Sequence, residues 1–239
     1  MAAPALYVHL PFCKQKCNYC DFVSYANKEG LIDAYVETLV QEIKLQLPAL
    51  DAPLSTIFFG GGTPTLLEPK HYEKIFKSIE SRTLSVEHGE ITIEANPGTA
   101  DRNKLKELRS LGINRLSIGI QSFHDHHLQT LGRIHSSSQA LRFYEDARAV
   151  GFENINLDLI FALPNQTFEE WKKDLQQAIA LNPEHLSAYS LQIEEGTPFA
   201  GQPGLKLPTE DDALKMYEYT IEALWLTGYK HYEISNFAK

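Results

Sequence analysis

Short apolar, β-branched runs recur along the 239-residue chain and alternate with amphipathic segments. Six such runs are typical of buried strands: Leu6 to Leu10, Thr56 to Phe59, Ile91 to Ala95, Arg115 to Ile120, Ile155 to Ile160 and Leu186 to Ile193. After the first run, apolar residues from Leu31 to Ile43 repeat with a period of about 3.6 residues, which predicts a helix that stops at Pro48. The pattern therefore predicts repeated strand–helix units.

The other helices are marked by signals at their ends. Pro69 is placed to open one helix, Gly112 to follow another, Thr167 with Glu170 has capping-box spacing, and Thr209 with Asp212 resembles that pattern. Repeated βα alternation implies parallel strands joined by right-handed crossovers. The choice is therefore between a doubly wound sheet and a barrel.

Polar and glycine residues collect where the predicted strands end. Cys13, Cys17 and Cys20 follow the first strand, Gly60 to Thr63 the second, Glu94 and Asn96 the third, Gln121 the fourth, Asp158 the fifth and Gln192 the sixth. A doubly wound sheet would divide such groups around one crevice, whereas a barrel gathers them in a ring. We therefore predict an α/β fold: a partial, open TIM-like (β/α)6 barrel, with a mouth wide enough for a bulky substrate.

The last residues form an unusual ending for a barrel. His231 to Phe237 resembles one more strand, and nothing follows that would cover it. We expect residues 1–239 to form a single core domain and a second domain to be missing. Trp171 and Trp225 lie on apolar helical faces, so both are predicted to be core residues.

Composition and charge narrow the classes of partner. The chain is 43% hydrophobic and 22% charged, with a formal net charge of −9, which argues against an extended nucleic-acid footprint. No apolar run approaches the roughly 20 residues that span a bilayer, and Met1 to Leu6 is too short for a signal peptide. We expect a cytoplasmic protein whose partners are small molecules or proteins.

The three cysteines lie within eight residues, immediately after the first predicted strand. An odd number of crowded thiols is a poor disulfide framework and indicates a metal. Cys13, Cys17 and Cys20 can ligate three irons of a 4Fe-4S cluster and leave the fourth iron for an exchangeable ligand. Two alternatives stay open: a structural zinc site with His9 as fourth ligand, and cysteines that merely pack.

At this point the sequence resembles the radical S-adenosylmethionine superfamily, whose signature is three cysteines separated by three and then two residues. The resemblance extends to the branch that contains oxygen-independent coproporphyrinogen III oxidase and the haem chaperone HemW. The segments that carry it are Tyr7 to Cys20, Gly60 to Thr65, Glu94 to Pro97 and Gly119 to Phe123. It implies a radical-type barrel with a 4Fe-4S cluster that chelates S-adenosylmethionine and cleaves it reductively to a 5′-deoxyadenosyl radical.

The resemblance also implies roles for individual residues. The metal ligands would be Cys13, Cys17 and Cys20, and the S-adenosylmethionine contacts would be Tyr7, Tyr19, Gly61, Gly62, Thr63, Glu94, Gln121, Arg133, Asp158 and Gln192. From the residues alone, Glu94 and Asp158 would equally suit an internal ion pair with Arg115 or Arg133. The group His124, His126, His127 and His135 favours a solvated helix start over a metal or haem site.

Two features favour the chaperone over the oxidase within that branch. Phe22 stands where the oxidase carries a further cysteine, and the first strand begins by Leu6 without a longer N-terminal extension. The chaperone's haem motif lies beyond a segment that resembles Asn236 to Lys239, so haem would bind outside this chain. The implied partners are S-adenosylmethionine, haem or a porphyrinogen, haem-accepting proteins and a second copy of the chain. The alternatives are radical decarboxylation of coproporphyrinogen III and a zinc-stabilised binding module.

Overall fold

The computed structural model describes residues 4–49, 52–79 and 89–239 as a sheet covered by helices. Its strands are β1 (Ala5–Leu10), β2 (Phe12–Cys13), β3 (Tyr25–Ala26), β4 (Thr56–Gly61), β5 (Glu90–Ala95), β6 (Arg115–Gln121), β7 (Asn154–Phe161), β8 (His185–Ser190), β9 (Lys230–Glu233) and β10 (Asn236–Ala238). Its α-helices are α1 (Ile32–Gln46), α2 (Pro69–Ile79), α3 (Arg102–Ser110), α4 (Asp125–Leu131), α5 (Ser137–Ala149), α6 (Phe168–Leu181) and α7 (Glu210–Leu226).

The order of the strands distinguishes the barrel from the doubly wound sheet. The main sheet runs β1-β4-β5-β6-β7-β8-β10-β9, so the six predicted strands are neighbours in chain order. All five pairings from β1 to β8 are parallel. A doubly wound sheet reverses its strand order at a switch point, and no reversal occurs among the six parallel strands from β1 to β8. The predicted open barrel is therefore confirmed.

Apolar side chains between the sheet and the helices form the main core. Phe59 of β4 packs edge-on against Tyr72 and Phe76 of α2, with ring centroids 5.1 and 5.7 Å apart. Trp171 of α6 is fully buried, as predicted, and its indole N–H donates to the Thr220 hydroxyl of α7 at 3.0 Å. These contacts hold the helices against the outside of the barrel. The interior is left to side chains of the strands and of the loops that follow them.

Most of the predicted helix signals are confirmed. Pro69 opens α2, and the helix predicted to stop at Pro48 is α1 with one following 3-10 turn at Leu47–Ala49. Thr167 and Glu170 form a complete capping box at the start of α6. Thr209 accepts the Asp212 N–H at the start of α7.

The prediction of a single final strand is wrong. His231 to Phe237 is a hairpin rather than one strand, because Ile234 and Ser235 turn the chain between β9 and β10. The Glu233 carboxylate accepts the Ser235 N–H at 3.1 Å and stabilises this turn. Because β10 pairs with β8 on one side and β9 on the other, β9 forms the edge of the sheet. The sixth strand also ends earlier than predicted, at Ser190.

The prediction that Trp225 is a core residue is wrong, since 72% of the residue is exposed. The buried side of α7 carries Met216, Thr220 and Leu224. Trp225 follows Leu224 directly and is turned about 100° away from that side. No described helix is long and apolar enough to cross a membrane.

Candidate functional site

A cavity of about 600 Å³ occupies the interior of the open barrel. The predicted site residues that line it are Cys13, Cys17, Tyr19, Cys20, Gly61, Gly62, Thr63, Glu94, Gln121, Arg133, Asp158 and Gln192. Of the predicted contacts, Tyr7 is not in the lining; the residue is 55% exposed and its hydroxyl lies 3.3 Å from His9 Nδ1. The sequence motifs, which are scattered over 180 residues, thus converge on one space.

The cysteine loop is fixed against the end of α4. The Asn18 N–H donates to the Leu131 carbonyl, and the Asn18 side-chain amide donates to the Thr130 carbonyl, both at 2.9 Å. Gln15 Nε2 donates to the Gly132 carbonyl, also at 2.9 Å. These carbonyls belong to the last turn of the helix, where intrahelical partners are lacking. The polar residues between the cysteines therefore position the loop.

The glycine-rich loop after β4 packs directly against the first cysteine. The Thr63 hydroxyl lies 3.7 Å from Cys13 Sγ. A Cβ atom on Gly62 would lie 2.6 Å from the Phe12 carbonyl oxygen and 3.0 Å from Cys13 Sγ. Only a residue without a side chain allows this approach, so the glycine run has a specific steric reason.

The alternative of a zinc site with His9 finds no support in the position of the imidazole. His9 Nε2 lies 2.9 Å from the Val23 carbonyl oxygen, and Nδ1 faces the Tyr7 hydroxyl. Both ring nitrogens are therefore engaged with groups other than the thiols. Cys17 is approached instead by Arg133, whose Nη1 lies 3.5 Å from the sulfur.

Glu94 and Asp158 face the cavity and have no salt-bridge partner among the described residues. Within the described residues, no lysine or arginine forms a salt bridge with either carboxylate; the salt bridge of Arg115 is to Glu90, with an Nε–Oε2 distance of 3.9 Å. Burial and the Asp158 charge raise the pKa of Glu94 to about 7, although the Gly61 N–H donates to it at 3.1 Å. Burial also raises the pKa of Asp158. The site therefore favours a cationic ligand.

Arg133 also lies in the wall of the cavity. Its Nη2 donates to Asn96 Oδ1 at 2.5 Å and to the Gly119 carbonyl at 2.6 Å. Its buried Nε has no hydrogen-bond partner among the described residues. Gln121 lies beside it at a bulge in the pairing of β6 with β7, with a left-handed φ of 71°. An unpartnered buried donor and a strained backbone are both typical of binding sites.

The polar floor of the barrel was missed by sequence reasoning. Ser117, Asn156, His185 and Ser187 are buried and line the lower cavity. The Asn156 amide donates to Ser117 Oγ at 2.8 Å and to Asp158 Oδ1 at 2.7 Å, and Asn156 Oδ1 lies 2.6 Å from His185 Nδ1. The signal was present: polar residues recur at every second position from Asn154 to Asp158, which is the period of one strand face.

The interpretation of the histidine group as a solvated helix start is wrong for two members. His127 and His135 are buried, whereas His126 is exposed. The start of α4 lies close to α6, and His126 Nε2 is 3.1 Å from Glu170 Oε1. A neighbouring helix, which periodicity does not reveal, covers this turn.

Residues 7–178 match the model of the Radical SAM superfamily. The chain belongs to the radical SAM superfamily. Membership implies a 4Fe-4S cluster and S-adenosylmethionine as cofactors, and it agrees with the open parallel barrel described above. The family resemblance stated from the cysteine and glycine motifs is thus confirmed.

Two curated relatives share this radical SAM core. The chain is 42% identical to the haem chaperone HemW of Haemophilus influenzae, over 98% of this chain and 63% of the relative. It is 42% identical to HemW of Escherichia coli, over 98% of this chain and 62% of the relative. The chain therefore spans about three-fifths of the length of these relatives.

A solved structure of the same superfamily shares both fold and sequence with this chain. Coproporphyrinogen III oxidase (HemN) from Escherichia coli, described as a radical SAM enzyme, superposes with a TM-score of 0.89 and 32% identity. The match covers 99% of this chain and 56% of that chain. The radical SAM barrel seen here is therefore shared with an enzyme.

The residues present fit the cofactors of the superfamily. Three thiols in one loop suit an iron–sulfur cluster that keeps one iron free of protein ligands. Beside them lie two carboxylates without basic partners among the described residues and the unpartnered Nε of Arg133. S-adenosylmethionine carries a sulfonium, an ammonium and a carboxylate, so its charges match these groups.

Proposed function

We propose that this chain is the cofactor-binding core of a haem chaperone. Cys13, Cys17 and Cys20 hold the 4Fe-4S cluster, and the barrel cavity holds S-adenosylmethionine. One observation carries the proposal. The three thiols and two carboxylates line the same cavity of about 600 Å³, and neither carboxylate has a salt-bridge partner among the described residues. When bound, the cluster supplies an electron for reductive cleavage of the sulfonium.

The protein's own groups bind and orient the ligand. Glu94 and Asp158 attract its cationic groups, and binding such a ligand lowers the raised pKa of Glu94. Arg133 supports the wall beside Cys17 and offers its free Nε to an acceptor. Gly61, Gly62 and Thr63 allow close approach of the backbone. Tyr7, Tyr19, Gln121 and Gln192 complete the proposed contacts, with Tyr7 at the exposed rim.

Two observations favour the chaperone. Phe22 is 68% exposed beside the cysteine loop, at the position where the oxidase pattern has a further cysteine. The identity to the HemW relatives is 42%, compared with 32% to the oxidase. We propose that haem binds outside residues 1–239, in a further domain, and is passed to haem-requiring proteins in the cytoplasm. Pairing of two copies stays a prediction.

The oxidase is the second candidate because its structure superposes with a TM-score of 0.89. It requires turnover of S-adenosylmethionine coupled to decarboxylation of coproporphyrinogen III. A chaperone requires no such product.

The first experiment tests the cofactors. After anaerobic reconstitution, we expect about four irons and four sulfides per chain in the native protein and a marked loss in Cys17→Ser. S-adenosylmethionine should raise the melting temperature of the loaded protein, and Glu94→Gln should weaken that effect. Colourless protein without iron and sulfide, or zinc without sulfide, would refute the proposal.

The second experiment separates the chaperone from the oxidase. Reduced, loaded protein is incubated with S-adenosylmethionine and coproporphyrinogen III, and protoporphyrinogen and 5′-deoxyadenosine are measured. We expect no protoporphyrinogen. Haem titration is then compared between residues 1–239 and a version extended to the length of the HemW relatives, with stoichiometric binding expected only in the longer protein. Protoporphyrinogen formation would support the oxidase instead.

A further inference from the structure

A second group of metal-ligand side chains lies outside the barrel cavity. It consists of His126 and His127 in α4 and Glu170 in the first turn of α6. One ligand atom from each residue lies within 4.8 Å of the others. These three residues are called the helix-bridging triad below. None of them lines the cavity that holds the cysteines.

The distances within the helix-bridging triad are near those of a coordination sphere. His126 Nε2 lies 3.1 Å from Glu170 Oε1, and His127 Nε2 lies 3.6 Å from Glu170 Oε2. In a tetrahedral site with metal–ligand bonds of about 2.0–2.1 Å, neighbouring ligand atoms are about 3.3 Å apart. Small side-chain rotations would therefore bring the three atoms around one ion.

His127 supplies the observation that indicates a ligand rather than ordinary packing. Its side chain is only 2% exposed, and its Nε2 has no hydrogen-bond partner among the described residues. A buried ring nitrogen without a partner is costly, so it calls for an explanation.

Glu170 is already oriented by its own helix cap. The N–H and the hydroxyl of Thr167 both donate to Glu170 Oε2 at 2.8 Å, which leaves Oε1 directed at His126. Such outer contacts orient ligands in metal sites.

The donor set decides which metal would bind. Two imidazole nitrogens and one carboxylate oxygen suit Zn²⁺, whereas Mg²⁺ and Ca²⁺ prefer oxygen ligands throughout. His126 is exposed and gives an ion access from solvent. From this geometry we propose that the helix-bridging triad binds a zinc-type divalent metal ion.

The bound ion would join α4 to α6 next to the cavity wall. Asp174 of α6 already accepts the Phe123 N–H at 2.6 Å and the Ser122 hydroxyl at 2.7 Å, directly after Gln121. This existing link joins α6 to the segment before α4, and a metal one turn away would add a link from α6 to α4 itself. The segment from Gln121 to Arg133, which carries two of the cavity's side chains, becomes more rigid when the ion is present.

The test uses untagged protein of residues 1–239, dialysed against buffered Zn²⁺, and measures its zinc content and melting temperature. Because the thiols also bind zinc, the measurement is made on protein with its cluster in place and, separately, on a Cys13→Ser, Cys17→Ser, Cys20→Ser variant. We expect one zinc per chain in both and a higher melting temperature, with no effect of Mg²⁺. The measurement on the cysteine-free variant tests zinc binding by the helix-bridging triad even if the proposed cluster fails to form.

Matched variants assign the site. His126→Ala and Glu170→Gln should weaken zinc binding at least tenfold and abolish the rise in melting temperature. The controls are His231→Ala, a histidine in the β9 edge strand, and Glu169→Gln, the neighbour of Glu170; both should bind like the native chain. Absence of zinc from the cysteine-free variant, or equal loss in the controls, would overturn the proposal.

Discussion

Single residues of the cavity are polar groups that the protein satisfies only in part. Glu94 is the clearest case, because burial and Asp158 raise its pKa to about 7 while the Gly61 N–H is a hydrogen-bond donor to it. Arg133 is another, since its buried Nε lacks a partner among the described residues. Such residues lower the stability of the free protein and are available for binding.

The pKa of Glu94 predicts a specific pH dependence of stability. Between the ordinary pKa near 4.5 and the folded value of about 7, the folded state holds a proton that the unfolded state has released. Raising the pH through this window therefore lowers the free energy of unfolding, by an amount on the order of 3 kcal/mol. In Glu94→Gln this loss should be absent. Urea denaturation of cluster-free protein at pH 5 and pH 8 measures the difference.

The control for this prediction is Glu73→Gln, an exposed residue of α2. It should keep the native pH dependence. A Glu94→Gln profile parallel to that of the native chain would contradict the assigned cause.

The close approach at Gly62 predicts a steric defect in Gly62→Ala. The new Cβ would lie 2.6 Å from the Phe12 carbonyl oxygen, so the backbone that leads into Cys13 must shift. We expect a cost of about 1–3 kcal/mol in stability and reduced iron incorporation. Gly30→Ala is the control, because no atom lies within 4 Å of the position that a Cβ would take there. Iron content after reconstitution should fall only in the first variant.

At the scale of elements, helix pairing decides which apolar residues become core. The α6–α7 contact buries Trp171, whose indole N–H reaches Thr220, but leaves Trp225 on the outer side of α7. Both tryptophans lie in amphipathic stretches of sequence. Their different burial follows from the direction in which α7 faces the barrel.

This difference predicts unequal costs for the same substitution. Trp171→Ala should lower the free energy of unfolding by about 3–5 kcal/mol, because it leaves a cavity and removes the indole donor to Thr220. Trp225→Ala should change it by no more than about 0.5 kcal/mol, as is usual for exposed positions. Urea denaturation of the two variants checks this directly. Similar costs would show that α7 packs differently.

At the scale of the whole molecule, the hairpin of β9 and β10 is tied to the floor of the barrel. The Tyr232 hydroxyl lies 2.7 Å from His185 Nε2, and Ser187 Oγ donates to Asn236 Oδ1 at 2.9 Å. The same His185 contacts Asn156, which in turn is a donor to Asp158. A polar network thus extends from the sheet edge to the carboxylates of the cavity.

We expect Tyr232→Phe to lower stability by about 1 kcal/mol, because it removes one hydrogen bond to a buried imidazole. The loss should be local, so amide hydrogen exchange should speed up in β9 and β10 more than in β1. Tyr25→Phe, at an exposed tyrosine remote from the network, is the control. Uniform exchange in all strands would contradict a local link.

The sequence by itself determined the strand–helix alternation and most helix ends. These features are local: they depend on residues close together in the chain, so a single sequence is enough to predict them. They include the six apolar runs, the capping box at Thr167 and the cysteine spacing. The sequence also determined that the cysteine, glycine and carboxylate motifs meet at one end of the barrel. Parallel strands also place their carboxyl ends together, so polar residues after each strand had to meet. The family resemblance supplied the individual residues that are proposed to contact the ligand.

Only the tertiary structure decided which neighbour each local element meets. It placed Trp225 outside, buried His127 beneath α6, folded residues 230–238 into a hairpin and opened a polar floor around Asn156. It also directed Arg133 to Asn96 and Gly119 and left both cavity carboxylates without a basic partner among the described residues. The physical reason is that burial, pairing and pKa depend on contacts between residues far apart in the chain, which periodicity and spacing do not encode.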